Sequence, residues 1–329
     1  MLLKFKNFLI IFVIILSAKL PAQKISYDVP EVYKNEISSQ KYKAIVDQSI
    51  LEVSKYEKVF SFENGFIKTE SGFQAGLDNL LYKCKNEDDN KNLNLIIKEH
   101  FDGLFSSMDF SKSLNLKNFD KIKEYLSLRI YPKEYFEQYI KPENSVYKID
   151  LEGTYTILML DLPTAFTNVQ RSEMFNFWNK SENELFSLAQ KNVNKHTVNK
   201  LTQEFDLGGV KIEISFIDDE TYAASYALDL INNSKDFVGE FGSVVALPNK
   251  GIINICNITK KKPLDFVKFI QGTKSLVQKF HDDHPYPVST DFFWYYNGKF
   301  KKIAVIQNND GSVDVAAPQE LSELLLKNK

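Results

Sequence analysis

The chain has 329 residues, of which 43% are hydrophobic and 26% charged, with 13 Gly and 10 Pro. This composition is typical of globular proteins and excludes collagen-like, low-complexity and wholly disordered chains. The formal net charge is -2, and the basic residues include only two arginines, Arg129 and Arg171. Because arginine is the main side chain for reading bases and phosphates, we expect no nucleic-acid partner. Two cysteines are also too few for a disulfide framework.

The first 22 residues have the layout of a secretory signal peptide. Lys4 and Lys6 precede an uninterrupted apolar run over residues 8–18, and Ala22 is a small residue placed before Gln23. The run is shorter than the roughly 17–25 residues that a membrane-spanning helix needs. We therefore predict cleavage after Ala22, with an uncleaved anchor as the alternative. The mature chain would then lack a membrane span and be periplasmic or secreted.

Residues 23–140 are expected to form a helix-rich N-terminal α+β region. Helical spacing of apolar residues predicts helices within residues 24–57, 73–84 and 93–108. Between the first two, Asn64-Gly65 lies between apolar stretches and predicts a hairpin over residues 58–69. Residues 109–146 are rich in Lys and Tyr, and they indicate short helices and loops with a domain boundary near residue 140.

Residues 141–329 are expected to form a second α+β domain. The apolar stretch 155–162 predicts a strand buried on both faces, and the alternation over residues 210–216 predicts a half-buried strand. Between them, Ser181 and Glu184 have capping-box spacing at a helix start. Later, residues 248–251 join two strands, and residues 263–283 form the clearest helix, which Pro285 stops.

The last part of the chain predicts a strand meander over residues 292–317 and a closing helix near Pro318. Asn297-Gly298 is a strong signal for a type I′ turn. The complete pattern favours an α+β fold with a mainly antiparallel sheet and several hairpins, packed by helices, in addition to the helix-rich N-terminal region.

Several motifs occur in an order that resembles a known family. They are Asp161-Leu-Pro-Thr-Ala-Phe-Thr-Asn-Val169, Trp178-Asn-Lys-Ser-Glu-Asn-Glu-Leu185, Tyr222-Ala-Ala-Ser225, Val244-Val-Ala-Leu-Pro-Asn249 and His284-Pro-Tyr-Pro287. Over roughly residues 58–305 the chain is similar to the YtpQ-like family of uncharacterised bacterial proteins. The resemblance supports the fold and implies no activity and no catalytic residue. Members of that family are mostly cytoplasmic, so the leader of this chain is a departure.

Residues 281–284 (His-Asp-Asp-His) form the one dense cluster of metal-ligand types. If the helix continues to His284, then His281 and His284 lie on one face, and with Asp282 they could hold a divalent metal. The alternative is a solvated helix end, where histidines complement the helix dipole. The common lipase, P-loop and zincin signatures are absent from the sequence.

Three other polar residues have two interpretations each. Cys84 and Cys256 could pair in an oxidising compartment, or they could be small buried hydrophobes. Asp161 interrupts an apolar strand, and it is either hydrogen-bonded at the strand end or a poised acid. In both cases the sequence favours the structural interpretation.

The Asn297-Gly298 turn sets the register of its hairpin. It places Trp294 and Tyr296 on one side of the sheet, opposite Lys301 and Lys299, with Tyr286 in the segment just before the hairpin. This side is either a plain sheet face, where lysine stems cover the rings, or a binding face anchored by Trp294, Tyr296 and Tyr286. The opposite side, with Phe293, Tyr295 and Phe300, is assigned to the core.

The sequence leaves the activity open. It favours an exported, soluble, non-catalytic binding or scaffolding protein of the cell envelope, whose partner the residues do not identify. The alternative is a metal-dependent hydrolase that uses His281 and His284. No cofactor is expected other than a divalent metal in that second case.

Overall fold

A computed structural model of the chain describes residues 24–140 and 142–327, so the predicted leader lies outside the described residues. The chain forms two compact units, residues 1–77 and residues 78–329. The domain boundary expected near residue 140 therefore falls inside the second unit. Strands on both sides of residue 140 pair in one sheet, which explains this difference.

The described part of the first unit is a helix with a small four-stranded sheet. Its elements are β1 (Lys24–Ile25), α1 (Ser39–Ser54), β2 (Val59–Glu63), β3 (Phe66–Thr69) and β4 (Gln74–Gly76). The strands lie in the order β1-β2-β3-β4, and β1 pairs in parallel with β2 while the other pairs are antiparallel. Ser38 caps α1 by accepting the Lys41 N–H at 3.2 Å.

The second unit contains two further sheets and nine α-helices among the described residues. The helices are α2 (Asp78–Cys84), α3 (Asn90–Ser113), α4 (Phe119–Ile122), α5 (Lys133–Tyr135), α6 (Glu182–Val193), α7 (Ala223–Tyr226), α8 (Leu230–Asn233), α9 (Asp265–Asp282) and α10 (Gln319–Leu326), with a π-helical turn at Phe136–Ile140. The strands are β5 (Leu126–Pro132), β6 (Tyr147–Lys148), β7 (Thr154–Asp161), β8 (Phe166–Asn168), β9 (Asn199–Asp206), β10 (Lys211–Asp218), β11 (Ser243–Asn249), β12 (Ile252–Asn257), β13 (Phe292–Tyr296), β14 (Lys299–Gln307) and β15 (Val313–Ala316).

The larger sheet of this unit is fully antiparallel and has a core on both faces. Its order is β15-β14-β13-β11-β12-β10-β9. One face packs with α9 and α10 around Phe269, Phe292 and Leu321, and the other face packs in a second cluster with residues of β5, β7 and α6. The expected α+β fold with mainly antiparallel sheets is therefore confirmed.

The smaller sheet has β7 at its centre, between β5 on one side and β6 and β8 on the other. Strand β5 lies in a stretch that was expected to hold only short helices and loops. Its apolar residues Leu126, Leu128 and Ile130 are buried and occupy every second position, which is the period-two pattern of a strand. The pattern is short and is surrounded by many lysines and tyrosines, so the sequence alone did not indicate a strand here.

Two other segments differ from expectation. The helix expected from residue 73 begins only at Asp78, because Gln74–Gly76 pairs with β3 as strand β4. Strand β9 was not predicted at all, since it is a polar edge strand that is exposed along nearly its whole length. Neither of its faces carries the apolar alternation from which strands are recognised.

Local turn and cap signals agree closely with the structure. Asn297 and Gly298 both have positive φ, 49° and 73°, as a type I′ turn requires. The resulting register places Trp294 opposite Lys301, as predicted. Ser181 and Glu184 form the expected reciprocal capping box at the start of α6.

Candidate functional site

The structure does not bring the predicted metal ligands together. Helix α9 ends at Asp282, since the residue before a proline is disfavoured in the helical conformation, and His284 lies beyond the last turn. His281 Nδ1 lies 2.8 Å from Asp282 Oδ1, whereas His284 Nδ1 accepts the backbone N–H of Tyr286 at 3.0 Å. Among residues 24–140 and 142–327, no group of three or more His, Cys, Asp or Glu side chains could hold a metal ion.

The residues of the expected binding face are divided between the core and the surface. Trp294 is only 3% exposed, and its indole Nε1 donates to the carbonyl oxygen of Phe241 at 2.8 Å. Tyr296 stacks on Trp294 at 5.1 Å and remains half-buried. Trp294 is thus a core residue, because α9 and α10 cover this face of the sheet.

Tyr286, the third residue of that expectation, lies in a different environment. Its ring centroid is 4.3 Å from Lys250 Nζ, and its carbonyl oxygen accepts the Lys250 backbone N–H at 3.2 Å. Burial raises the pKa of the Tyr286 hydroxyl. Tyr286 therefore lies against Lys250, which belongs to the turn between β11 and β12.

The turn that carries Lys250 is held in place by a buried amide. Asn249 is 4% exposed, and its Oδ1 accepts the N–H groups of Gly251 and Ile252 at 2.8 and 3.1 Å. Its Nδ2 donates to the carbonyl oxygen of Phe280, at the end of α9, at 2.8 Å. Since both ends of the amide are bonded, the backbone at Lys250 is preorganised.

Lys250 is half-buried, and the carboxylates of Glu220 and Asp219 act on its charge without forming an ion pair with it. No carboxylate among the described residues forms an ion pair with it. Burial, followed by the positive charge of Arg129, lowers the pKa of Lys250 to about 8. A buried cation without a partner is costly, so this is an unusual feature in a protein with abundant acidic residues.

Arg129 of β5 is the second cation near this turn. Its guanidinium lies 3.9 Å from the centroid of the Phe166 ring, and Nη1 donates to the carbonyl oxygen of Thr221. No ion pair with a carboxylate of the described residues is formed, in contrast to Arg171, which pairs with Glu182 at 2.8 Å. The other guanidinium N–H groups of Arg129 make no hydrogen bond to a described residue, and the charge of Asp161 interacts with Arg129 without forming an ion pair.

One loop connects the two cations. Thr221 accepts from Arg129, and three residues later the N–H of Ala224 donates to the carbonyl oxygen of Lys250 at 3.0 Å. Asp219 caps this loop by accepting the N–H groups of Thr221 and Tyr222 at 2.9 and 2.7 Å. We call Arg129, Lys250, Phe166 and Tyr286 the Arg129–Lys250 site.

Asp161 lies beside the site and is already bonded. Its Oδ2 accepts the hydroxyl of Tyr222, and His196 stacks on the Tyr222 ring at 3.6 Å with its Nε2 3.9 Å from the same oxygen. Burial raises the pKa of Asp161. Its position at the end of β7 agrees with the structural interpretation, since its charge is directed to Tyr222 and forms no ion pair with Arg129.

The two cysteines are structural. Cys84 and Cys256 are both buried, and no disulfide joins them. Burial raises the pKa of Cys256 to about 12, which keeps its thiol protonated and inert. Their interpretation as small buried hydrophobes is confirmed.

A helix that spans a membrane needs roughly 17–25 predominantly apolar residues. Within the part of the chain that the structure describes, none is both long enough and apolar enough to cross a bilayer. No protein-family model, curated protein or solved structure matches the chain. Its functional assignment therefore depends on the geometry of the Arg129–Lys250 site.

Proposed function

We propose that this chain is an exported, non-catalytic binding protein of the cell envelope, and that it binds a small anion between Arg129 and Lys250. The observation that carries the proposal is that Lys250, a half-buried lysine on a rigid turn, forms no ion pair with any carboxylate that the structure describes. An anionic ligand would supply the missing charge. No observation in the described residues favours the metal-dependent alternative at His281 and His284.

The two cations suit different parts of one anion. The planar guanidinium of Arg129 matches a carboxylate or phosphate through paired N–H donors, whereas the ammonium of Lys250 acts as a point charge. The rings of Phe166 and Tyr286 flank the two cations and keep them in place through cation–π contact. Such a site would bind an anion through two positively charged side chains that are already in place, without movement of the backbone.

Export is tested by the amino terminus of the native protein. Signal-peptide cleavage is expected to leave a mature chain that begins at or near Gln23, because Ala22 is the small residue before it. Mass spectrometry of the protein from its own cells measures this directly. An intact Met1 on membrane-bound protein would contradict the soluble, exported form.

Anion binding is tested by calorimetric titration with inorganic phosphate, pyrophosphate and acetate at low ionic strength. Saturable binding is expected for at least one of them at pH 7. Lys250→Met and Arg129→Gln should each weaken it at least tenfold, since each removes a charge-assisted hydrogen bond worth roughly 1.5–3 kcal/mol. Lys299→Met, at the exposed hairpin turn, is the matched control and should bind normally.

The same titration has an expected pH dependence. Affinity should fall as the pH rises through about 8, because Lys250 loses its charge there. The charged and titratable groups that act on Lys250 or that Lys250 acts on are Arg129, Lys83, Glu220, Asp219, His284 and the ring of Tyr286. The pKa of His284 is lowered to about 4 by burial and by Lys250, so His284 stays neutral over this range. Absence of saturable binding for every phosphate and carboxylate anion tested would overturn the proposed function.

A further inference from the structure

A groove of about 310 Å³ lies in the second unit between α3 and the segment that leads into β8. Its lining residues are Leu104, Ser107, Met108, Ser111, Lys112, Leu162, Ala165, Phe166 and Thr167. This volume is at the lower end of the roughly 300–1,000 Å³ typical of small-molecule sites. Most of the lining is apolar, and Met108 and Phe166 are half-exposed within it.

The two walls of the groove are fixed to each other. The N–H of Thr164 donates to Ser107 Oγ at 3.0 Å, and the Thr164 hydroxyl bonds both Ser107 and the carbonyl oxygen of Gly103. A Cβ at Gly103 would lie 3.3 Å from the Thr164 Cβ, so only glycine permits this close approach of α3 without displacement. The groove is thus preformed, which lowers the entropic cost of binding.

Phe166 belongs to both the groove and the Arg129–Lys250 site. Its side chain lines the groove, and the Arg129 guanidinium lies over its ring at 3.9 Å. The charged residue within the groove, Lys112, already pairs with Asp109 at 3.1 Å. A ligand that spans both places would therefore put its charge at Arg129 and its apolar part beside Phe166.

We propose that the anion bound at the Arg129–Lys250 site is a single-chain amphiphile, a medium-chain fatty acid anion, whose tail lies in the groove between α3 and β8. This inference rests on the proposed anion binding. The carboxylate would meet the free N–H groups of Arg129 and the ammonium of Lys250. The tail would pass the edge of the Phe166 ring and contact Leu104, Met108 and Ala165.

The test is calorimetric titration with acetate, hexanoate and decanoate below their micelle concentrations. Each methylene that enters the groove raises the affinity roughly three- to fourfold, so decanoate should bind at least a hundredfold more tightly than acetate. Ala165→Phe fills the groove and should remove most of that gain. Ala304→Phe, on exposed β14, is the matched control and should preserve the gain.

A second measurement does not depend on the stability of any variant. The methyl resonance of Met108 should shift when decanoate is added and should not shift with acetate. Met159 and Met174 are 3% and 4% exposed and serve as internal controls, because neither lines the groove. A Met108 resonance that decanoate leaves unchanged would overturn the tail assignment.

The outcomes separate the two proposals. Equal affinity for acetate and decanoate would overturn the amphiphile while leaving anion binding in place. Decanoate binding that Lys250→Met and Arg129→Gln leave intact would show that the head group lies elsewhere, and would overturn both assignments at this site. Failure of every anion to bind the wild-type protein would overturn the proposed function itself.

Discussion

Replacing Trp294 by alanine is expected to lower the free energy of unfolding by about 3–5 kcal/mol. The side chain is 3% exposed and shares a core cluster with residues of α9 and α10. The substitution leaves a large cavity and also removes the donor to the Phe241 carbonyl oxygen. The change is measured by urea denaturation at pH 7. Unfolding is monitored by far-ultraviolet circular dichroism, which reports on secondary structure and does not depend on tryptophan fluorescence.

Phe177→Ala is the matched control for Trp294→Ala. Phe177 is 51% exposed, so its truncation should change the free energy of unfolding by less than about 1 kcal/mol. A loss at Trp294 no greater than this would place the indole outside the core. The same result would restore the interpretation of this sheet face as a binding surface.

Lys250→Met is expected to stabilise the protein by roughly 2 kcal/mol at pH 7 while it removes anion binding. The lysine pKa falls from 10.5 to about 8 on folding, so the folded state disfavours the charged form. Methionine keeps much of the apolar volume and carries no charge to desolvate. Higher stability together with lost binding is the expected signature of a site that sacrifices stability for function.

The stabilising effect of Lys250→Met should depend on pH in a defined direction. Below pH 8 the lysine is protonated in both the folded and unfolded states, so wild-type folding bears the whole penalty. Between about pH 8 and 10.5 the folded state binds fewer protons than the unfolded state, so wild-type stability gains with rising pH and the penalty disappears. The difference between variant and wild type should therefore shrink from pH 7 to pH 9.5.

Lys299→Met controls for the loss of a lysine as such, because Lys299 is exposed and its substitution should change stability by less than about 0.5 kcal/mol. Destabilisation by Lys250→Met at pH 7 would show that the lysine is already satisfied in the folded protein. In that case the main reason for placing an anion at Lys250 would be lost.

Some features of the fold are set by residues that are close together in the sequence. Such features could be predicted from the sequence. The Asn297-Gly298 turn, the Ser181–Glu184 capping box and the register of the last hairpin are set by residues close together in sequence. The free energy that favours each comes from local backbone conformation and local hydrogen bonds. Tertiary packing has only to be compatible with them.

The missed strands show where local signals fail. In β5, three buried residues alternate within a stretch rich in Lys and Tyr, and only pairing with β7 makes the strand stable. In β9 the faces are polar, and the strand forms because β10 offers a continuous antiparallel partner. Whether such a segment forms a strand depends on its hydrogen bonds to a neighbouring strand. The residue pattern of the segment alone does not reveal that neighbour.

The sequence by itself determined the α+β class, the hairpin turns and the helix caps, and it predicts the leader. Only the tertiary structure decided which face of the last hairpin is buried, because covering by α9 and α10 makes Trp294 a core residue. It also decided the candidate site, because Arg129 lies in β5, Lys250 in the turn between β11 and β12, and Phe166 in β8. Partial burial and the lack of an ion pair with any described carboxylate distinguish Arg129 and Lys250, and both properties arise from long-range contacts that no local pattern records.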